Sequence, residues 1–528
     1  MTVFNNERKL GCAAVFAPRR REFLALISGA AASQALGLTV LAEGTAKKGG
    51  VLKVAAPANP SSLDPVTGGS GADHPFLYTI FDTLIEWDYE SLRAKPGLAE
   101  SWQYPDPNTL VLNLRQGVVF HDGTPCNAEA VKFNLDRIRQ DQRSNLKADV
   151  ASVESVEISG PNRVALKLKR PDTALPLILS DRAGMIASPK AVQELGKEHD
   201  RKPVGTGAWK IVTWADNDRV VVTRNENYWK PGLPYLDGIE FAIIPEVQTG
   251  LRSVIGGQND YVYFLAPQLK PIADRAKNLV VVSGPTLYCL QLYFNWSRPP
   301  LNEIRVRQAI NYAIDRQAFV KATMGGIAQP ATMELPIEHW AYDQTVARLY
   351  PYDPEKAKAL LAEAGYKGGL DINMVSYTDQ LTVQKQEVII EQLHKVGINV
   401  KFTNGTIAEM SAAFFGAEKK GEGLLAAWTG RPDPSLTYSL MFSKDAYFNA
   451  GRAEPPAGLA EALDASRREE NINDRKRAFA TVQRLVMENA LVAPLCFQYE
   501  LDAMTSKVKG YRPNLLGKPK FEDVYLEG

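Results

Sequence analysis

Two hydrophobic periods divide this chain. Over roughly residues 50–230 short alternating runs dominate. VLKVAA (51–56) reads as a strand that breaks at Pro57, and a helical stretch follows near 75–84. TLVLNL (109–114) alternates as a strand toward the turn Arg115-Gln116-Gly117, and Asn127 opens a helix with Val131, Leu135 and Ile138 on one face. Residues 153–158 and 163–169 are strands joined by Gly160-Pro161-Asn162, and 204–214 and 218–229 form another strand pair. From about 300 the pattern becomes helix alternating with strand. Asn302 is expected to cap one helix carrying Val306, Ile310, Ala313, Ile314 and Val320 as far as Gly325-Gly326, and Asp353-Pro354 starts the next. A strand (371–376), a helix with Ile389, Leu393 and Val396, and a strand (398–402) make a β-α-β unit, whose strands are parallel. A helix near 407–419, the strand GLLAAW (423–428), helices at about 456–471 and 474–490 and a late strand (490–500) complete the chain.

This is an α/β pattern, and 528 residues exceed what one core supports, so two lobes are expected, one carrying a self-contained insertion. Ligands of open α/β sheets gather beyond the carboxyl ends of the strands. That directs attention to LLAAWTGRPDPSLTY (424–438), where a strand runs out into a loop with Trp428, Arg431 and Asp433. Asp433 followed by Pro434 is good helix-start chemistry. It leaves Trp428 and Arg431 unexplained, and a guanidinium there suits a carboxylate, which it grips with two hydrogen bonds. Asn59 and Ser61 after the first strand, with Tyr288, Tyr293, Asn295 and Tyr499 near the crossings between lobes, are the other candidate ligand contacts.

Hydrophobic residues at 45%, charged residues at 23% and a formal charge of +1 are ordinary for a globular protein, and no basic, aromatic-studded stripe points to nucleic acid. The first 42 residues read as an export signal: Arg19, Arg20 and Arg21 precede a weakly apolar run ending Val40-Leu41-Ala42, and Arg20-Arg21-Glu22-Phe23-Leu24 resembles the twin-arginine motif. Its removal leaves 56 basic against 58 acidic residues, a soluble monomer expected in the periplasm. Cys126, Cys289 and Cys496 then remain, an odd number without paired spacing, read as buried small hydrophobes.

Catalytic signatures are missing. None of the five histidines (His74, His121, His199, His339, His394) has a second three to five residues away, and neither a G-x-S-x-G elbow nor a phosphate loop is present. No metal or cofactor is expected. Carboxylates distant in sequence keep a secreted hydrolase open as the rival class.

Four stretches carry a resemblance. PGLAESWQYPDPNTLVLNLRQGVVFHDGTPCNAEAVKFNLDRI (96–138), VGTGAWKI (204–211), LYFNWSRPPLNEIRVRQAINYAIDRQAFV (292–320) and YDPEKAKALLAEAGY (352–366) resemble, in order, segments of the peptide/nickel-type (family 5) solute-binding proteins of ABC importers. The resemblance implies two α/β lobes with strand hinges, closing on a di- or oligopeptide or similar small solute and delivering it to an inner-membrane permease. It implies boundaries of 49–85, 200–287 and 496–528 for lobe I, 86–199 for a subdomain inserted in it, and 288–495 for lobe II. In peptide-binding relatives an Asp in the loop after this Trp pairs with the ligand's amino terminus, which makes Asp433 a candidate. The family's His121-Asp122-Gly123, Gly205 and Gly207 are expected to be structural. A small carboxylated compound or a metal chelate is the alternative cargo.

Overall fold

A computed structural model of the chain describes residues 46–527. The export segment and Cys12 lie outside them. One mixed sheet of 11 strands runs through the molecule. Across it lie, in order, Ile398–Gly405, Leu370–Tyr377, Gly423–Trp428, Leu279–Phe294, Val492–Thr505, Tyr261–Val262, Val51–Ala56, Gly238–Ile243, Arg219–Arg224 and Trp209–Ala215, with Ala328–Pro330 added on Val492–Thr505. Each end has a parallel core: Leu370–Tyr377 is parallel to both Ile398–Gly405 and Gly423–Trp428, and Val51–Ala56 to both Gly238–Ile243 and Tyr261–Val262. The 16-residue strand Leu279–Phe294 and the 14-residue strand Val492–Thr505, antiparallel to each other, join the two ends. Parallel strands need both faces covered. Separate apolar clusters cover them, around Leu52, Phe76 and Phe241 at one end and around Ile310, Leu393 and Leu425 at the other. That is a two-lobe α/β molecule.

A second sheet of four strands (Ala99–Asp106, Thr109–Leu114, Arg163–Leu168 and Val153–Gly160) has its own core with the helix Ala128–Gln140. Val131, Leu135 and Ile138 face that core and Asn127 caps the helix, as the spacing predicts. The expected helix from Asn302 to Gly325 is instead two, Ile304–Ala313 and Arg316–Met324. The cause is Asp315, whose carboxylate caps the second helix at Ala318 N (2.9 Å), while buried Arg316 bonds Asn311 and Pro494 carbonyls across the break. The strand Leu279–Phe294 went unread because Ser283-Gly284-Pro285 looks like a turn. Pro285 in fact sits where the pairing with Val492–Thr505 slips, between Pro285 and Cys289. There its missing N–H breaks no ladder bond.

The family-like turn segments are structural. Asp122 binds Thr124 and Ser188, and His121 Nε2 lies 3.0 Å from the Gly207 carbonyl. A Cβ on Gly205 would lie 2.1 Å from the Ile80 carbonyl oxygen, and one on Gly207 2.5 Å from the Ile80 carbonyl carbon, so both glycines exist for close backbone approach. Cys126, Cys289 and Cys496 are free and buried. Among the described residues no helix is long and apolar enough to cross a membrane. Gly207→Ala is expected to destabilise by about 1–3 kcal/mol, read as a lower urea midpoint, because backbone and not a flexible side chain occupies the space.

Candidate functional site

The site forms where the joining strands slip register. Tyr288 sits in the slip and is 40% exposed, yet burial raises its phenol pKa. Trp428 is in register with Cys289, and Tyr499 with Pro285, so Tyr288, Trp428 and Tyr499 share one window of the sheet. Half-buried Tyr499 also has its pKa raised by burial.

Gly430 fixes the loop after Trp428. Its φ of 74° is left-handed, and a Cβ would lie 2.3 Å from the Leu287 side chain, so the loop rests directly on the crossing strand. Leu287 packs with Trp87, Leu177, Leu515 and Leu516, and its N–H donates to the Leu515 carbonyl (2.8 Å). Loop, crossing strand and the C-terminal segment thus converge. Trp428 is almost fully buried, donating from Nε1 to Thr437 Oγ1 (3.1 Å) and meeting Phe448 edge-on. Its ring carries the Arg431 guanidinium 4.9 Å above it. Arg431 otherwise bonds its own loop, at Thr429 Oγ1 and the Gly430 carbonyl, and pairs with no carboxylate among the described residues.

Asp433 is placed differently from a ligand-facing carboxylate. It is wholly buried, Oδ1 accepts from Ser435 N (2.9 Å), and Oδ2 accepts from Arg475 Nη2 (2.8 Å). Burial raises its pKa, but the Arg475 charge and the Ser435 bonds outweigh that and leave it lowered. It caps the helix Pro434–Phe442 and anchors Arg475, which also holds the Ser466 carbonyl. Asn59 and Ser61 tie loops together: the Asn59 carbonyl oxygen accepts from Trp214 Nε1 and Asn217 N, and Ser61 binds Asp73 through Oγ and N. Tyr293 is buried against Phe415, and Asn295 is buried holding Ser297. The crossing therefore gathers Trp428, Arg431, Tyr288 and Tyr499, while Asp433, Asn59, Ser61, Tyr293 and Asn295 serve the surrounding fold.

Sequence reasoning missed a charged group opposite. Lys518 Nζ donates to Asp181 Oδ2 (3.0 Å) and lies 2.9 Å from His74 Nε2. His74 Nε2 is also 2.8 Å from Asp181 Oδ1, and Nδ1 is 3.1 Å from the Gly71 carbonyl, so both ring nitrogens face acceptors. Burial and then the Lys518 charge lower the His74 pKa, opposed by the Asp181 carboxylate. Arg182 bonds the Gly68 carbonyl and forms no ion pair among the described residues. Half-buried Asp149 accepts no hydrogen bond, again among the described residues. Burial raises its pKa and Arg431, foremost among nearby charges, opposes the rise. Nothing local in the sequence marks these positions, because the fold assembles them from segments hundreds of residues apart.

Two α/β lobes sharing long strands, with charged side chains gathered at the crossing, define the bilobal solute-binding class. Residues 93–449 match the family "Bacterial extracellular solute-binding proteins, family 5 Middle". The glutathione-binding protein GsiB of Escherichia coli (strain K12) is 33% identical over 383 residues, 71% of this chain and 74% of that protein. Among solved structures, the periplasmic binding protein DppA from Helicobacter pylori in complex with peptide STSA superimposes with TM-score 0.79 at 25% identity, covering 91% of this chain and 99% of that one. A dipeptide-binding protein from Pseudoalteromonas sp. SM9913 in complex with Met-Leu gives TM-score 0.77 at 22% identity, covering 91% and 100%. The chain belongs to the family 5 extracellular solute-binding proteins, and it is the substrate-binding component of an ABC importer.

The Asp433–Arg475 pair sets a stability prediction. Arg475→Ala strands a buried carboxylate and is expected to cost about 3–5 kcal/mol in chemical denaturation. The folded pKa of Asp433 is lowered. Its stabilisation is thus complete above the unfolded value of about 4 and is lost as pH falls through the lower folded value. Asp433→Asn should flatten that acid limb of the stability–pH curve.

Proposed function

We propose that this protein captures short peptides whose carboxylates outnumber their ammonium groups, glutathione among them, and hands them to a membrane permease without chemical change. The carrying observation is that two guanidinium groups, Arg431 and Arg182, have no carboxylate partners among the described residues. Such cations are matched by ligand carboxylates, gripped in bidentate fashion. Of the ligands named for the relatives, glutathione has two carboxylates to one ammonium group, whereas STSA and Met-Leu have one of each.

In this reading Arg431, Tyr288 and Tyr499 contact the ligand, and buried Trp428 supports the Arg431 guanidinium on its ring face. The lobes divide at 49–85, 200–287 and 496–528 against 288–495, with 86–199 as the inserted subdomain. The strand slip at Pro285–Cys289 is one hinge, and ligand spanning both lobes favours the closed state by its differential affinity. The protein works as a monomer in the periplasm after loss of residues 1–42. A structural neighbour in complex with agropinic acid, at 22% identity, shares the fold, and a small organic acid suits the same arginines.

Native mass spectrometry of residues 43–528 fresh from cells, followed by thermal shift with glutathione and di- to pentapeptides, tests the reading. A co-purified peptide or stabilisation by several degrees supports it, whereas consumption of the peptide would establish a hydrolase. Arg431→Ala should weaken carboxylate-bearing ligands by about tenfold or more. Its apo melting temperature should stay near wild type, since the side chain bonds only its own loop. A large apo loss would make Arg431 structural.

A further inference from the structure

The loop carboxylate expected to receive a ligand amine, Asp433, is consumed by Arg475. A peptide with a free amino group needs another partner, and the fold supplies a specific one. Leu146 and Val150 are buried in the same apolar cluster as Leu436, five residues beyond Arg431. The turn 146–150 of the inserted four-stranded unit and the helix after the loop thus share one core, and the Arg431 charge acts on Asp149. The turn is fixed by Asp149 N donating to the Leu146 carbonyl (3.1 Å), and by Asn145, whose backbone N–H donates to the Val66 carbonyl (3.0 Å) and whose Nδ2 donates to the Thr67 carbonyl (2.8 Å). The neighbouring Gly68 carbonyl is the one that Arg182 binds. The turn carrying Asp149 and the Arg182 side chain thus meet at the Gly68 carbonyl, which Asn145 Nδ2 also approaches (3.4 Å), and Arg431 is close enough for its charge to act on Asp149.

The charge inventory there is asymmetric. Lys518, Asp181 and His74 satisfy one another. Arg431 and Arg182 have no carboxylate and Asp149 has no cation within ion-pair distance among the described residues. Glu334, whose carboxyl oxygens also lack partners among the described residues and whose charge acts on Cys289, is 2% exposed, and burial raises its pKa to about 7, which disfavours a standing negative charge there. Asp379 and Glu338, whose charges act on Tyr288 and Tyr499, are exposed, with Asp379 capping its helix at Thr382 and Glu338 meeting Gln329.

We propose that Asp149 is the amine-recognition residue of this site, receiving the ligand's ammonium group while Arg431 and Arg182 receive its carboxylates. This rests on the peptide reading above and makes it narrower. Selection between a free and a blocked amino group comes from a residue of the inserted unit and not from the loop after Trp428. A half-buried carboxylate without hydrogen bonds gains most from a cationic donor, since a charge-assisted bond replaces lost hydration.

The test is isothermal titration of wild type and Asp149→Asn with glutathione and alanyl dipeptides, each with a free and an acetylated amine. Asp149 holds nothing within the protein, so Asp149→Asn should keep the apo melting temperature. It should weaken free-amine ligands by at least about tenfold and leave acetylated ones unchanged. Restoring the carboxylate one methylene longer, Asp149→Glu, should recover part of the preference. Three outcomes overturn the assignment: acetylated ligands binding wild type as tightly as free ones, Asp149→Asn weakening both forms equally (a closing contact to Arg431 only), or a preference that survives the substitution. If no peptide binds in either form, the peptide reading falls and this assignment with it.

Discussion

Everything about this molecule depends on two strands that belong to both lobes. Leu279–Phe294 and Val492–Thr505 pair antiparallel along nearly their whole length. At about 3.3 Å per residue the longer one spans roughly 50 Å, which is more than either lobe needs. Such a ladder would be a stiff rod if its register were continuous. Between Pro285 and Cys289 it is not, and the proline at the edge of that slip removes a donor where none is required. The break leaves paired strand on either side, buried on the Cys289–Phe294 side and partly exposed on the Leu279–Ser283 side. It also takes Tyr288 out of the ladder, so the proposed hinge and a proposed ligand contact fall on one stretch of chain.

The loop after Trp428 shows how one short segment divides its labour. Its carboxylate turns inward, where Arg475 and the Ser435 N–H hold it in the fold, and its guanidinium turns outward over an indole. Reversing the two would leave an unpaired arginine in the core, where desolvation costs several kcal/mol. The arrangement keeps the outward cation uncompensated without unfolding the helix behind it. A cation whose only partners are its own loop and a ring face is available to a ligand at little cost to the empty protein.

Most of the architecture was legible because it follows from periodicity. The β-α-β unit around 371–402, the capped helix at Asn127 and the strand 423–428 all appear within a residue or two of where spacing puts them. Family-like segments led to fold, and His121, Gly205 and Gly207 prove to be packing features. Legibility stopped at Pro285, because a proline inside a strand looks like its end until the slip is seen. It stopped again at Asp315, whose capping splits what reads as one helix. Within the site, Trp428 and Arg431 came from local oddity, and Tyr288 and Tyr499 from their place near the crossings. Asp149, Arg182 and Lys518 have none, since their significance is an absence or exchange of partners that only three-dimensional neighbours determine.

Those neighbours also explain how an inserted unit far from the hinge acts on the site. Buried Asp172, just past its last strand, takes Arg467 through Nε (2.9 Å) and Nη2, and Thr173 N donates to the Arg467 carbonyl (2.8 Å). Arg467 lies on the helix Leu459–Arg468, whose Ser466 carbonyl accepts from Arg475, and Arg475 in turn grips Asp433. The chain of contacts from Asp172 to Asp433 is continuous and almost wholly buried, unlike the exposed pair Arg170–Asp464 beside it, which contributes little. Position of the insertion and position of the ligand loop are therefore not independent. Because Asp172 is wholly buried and Arg467 nearly so, removing either partner alone would leave an uncompensated charge between the insertion and that loop.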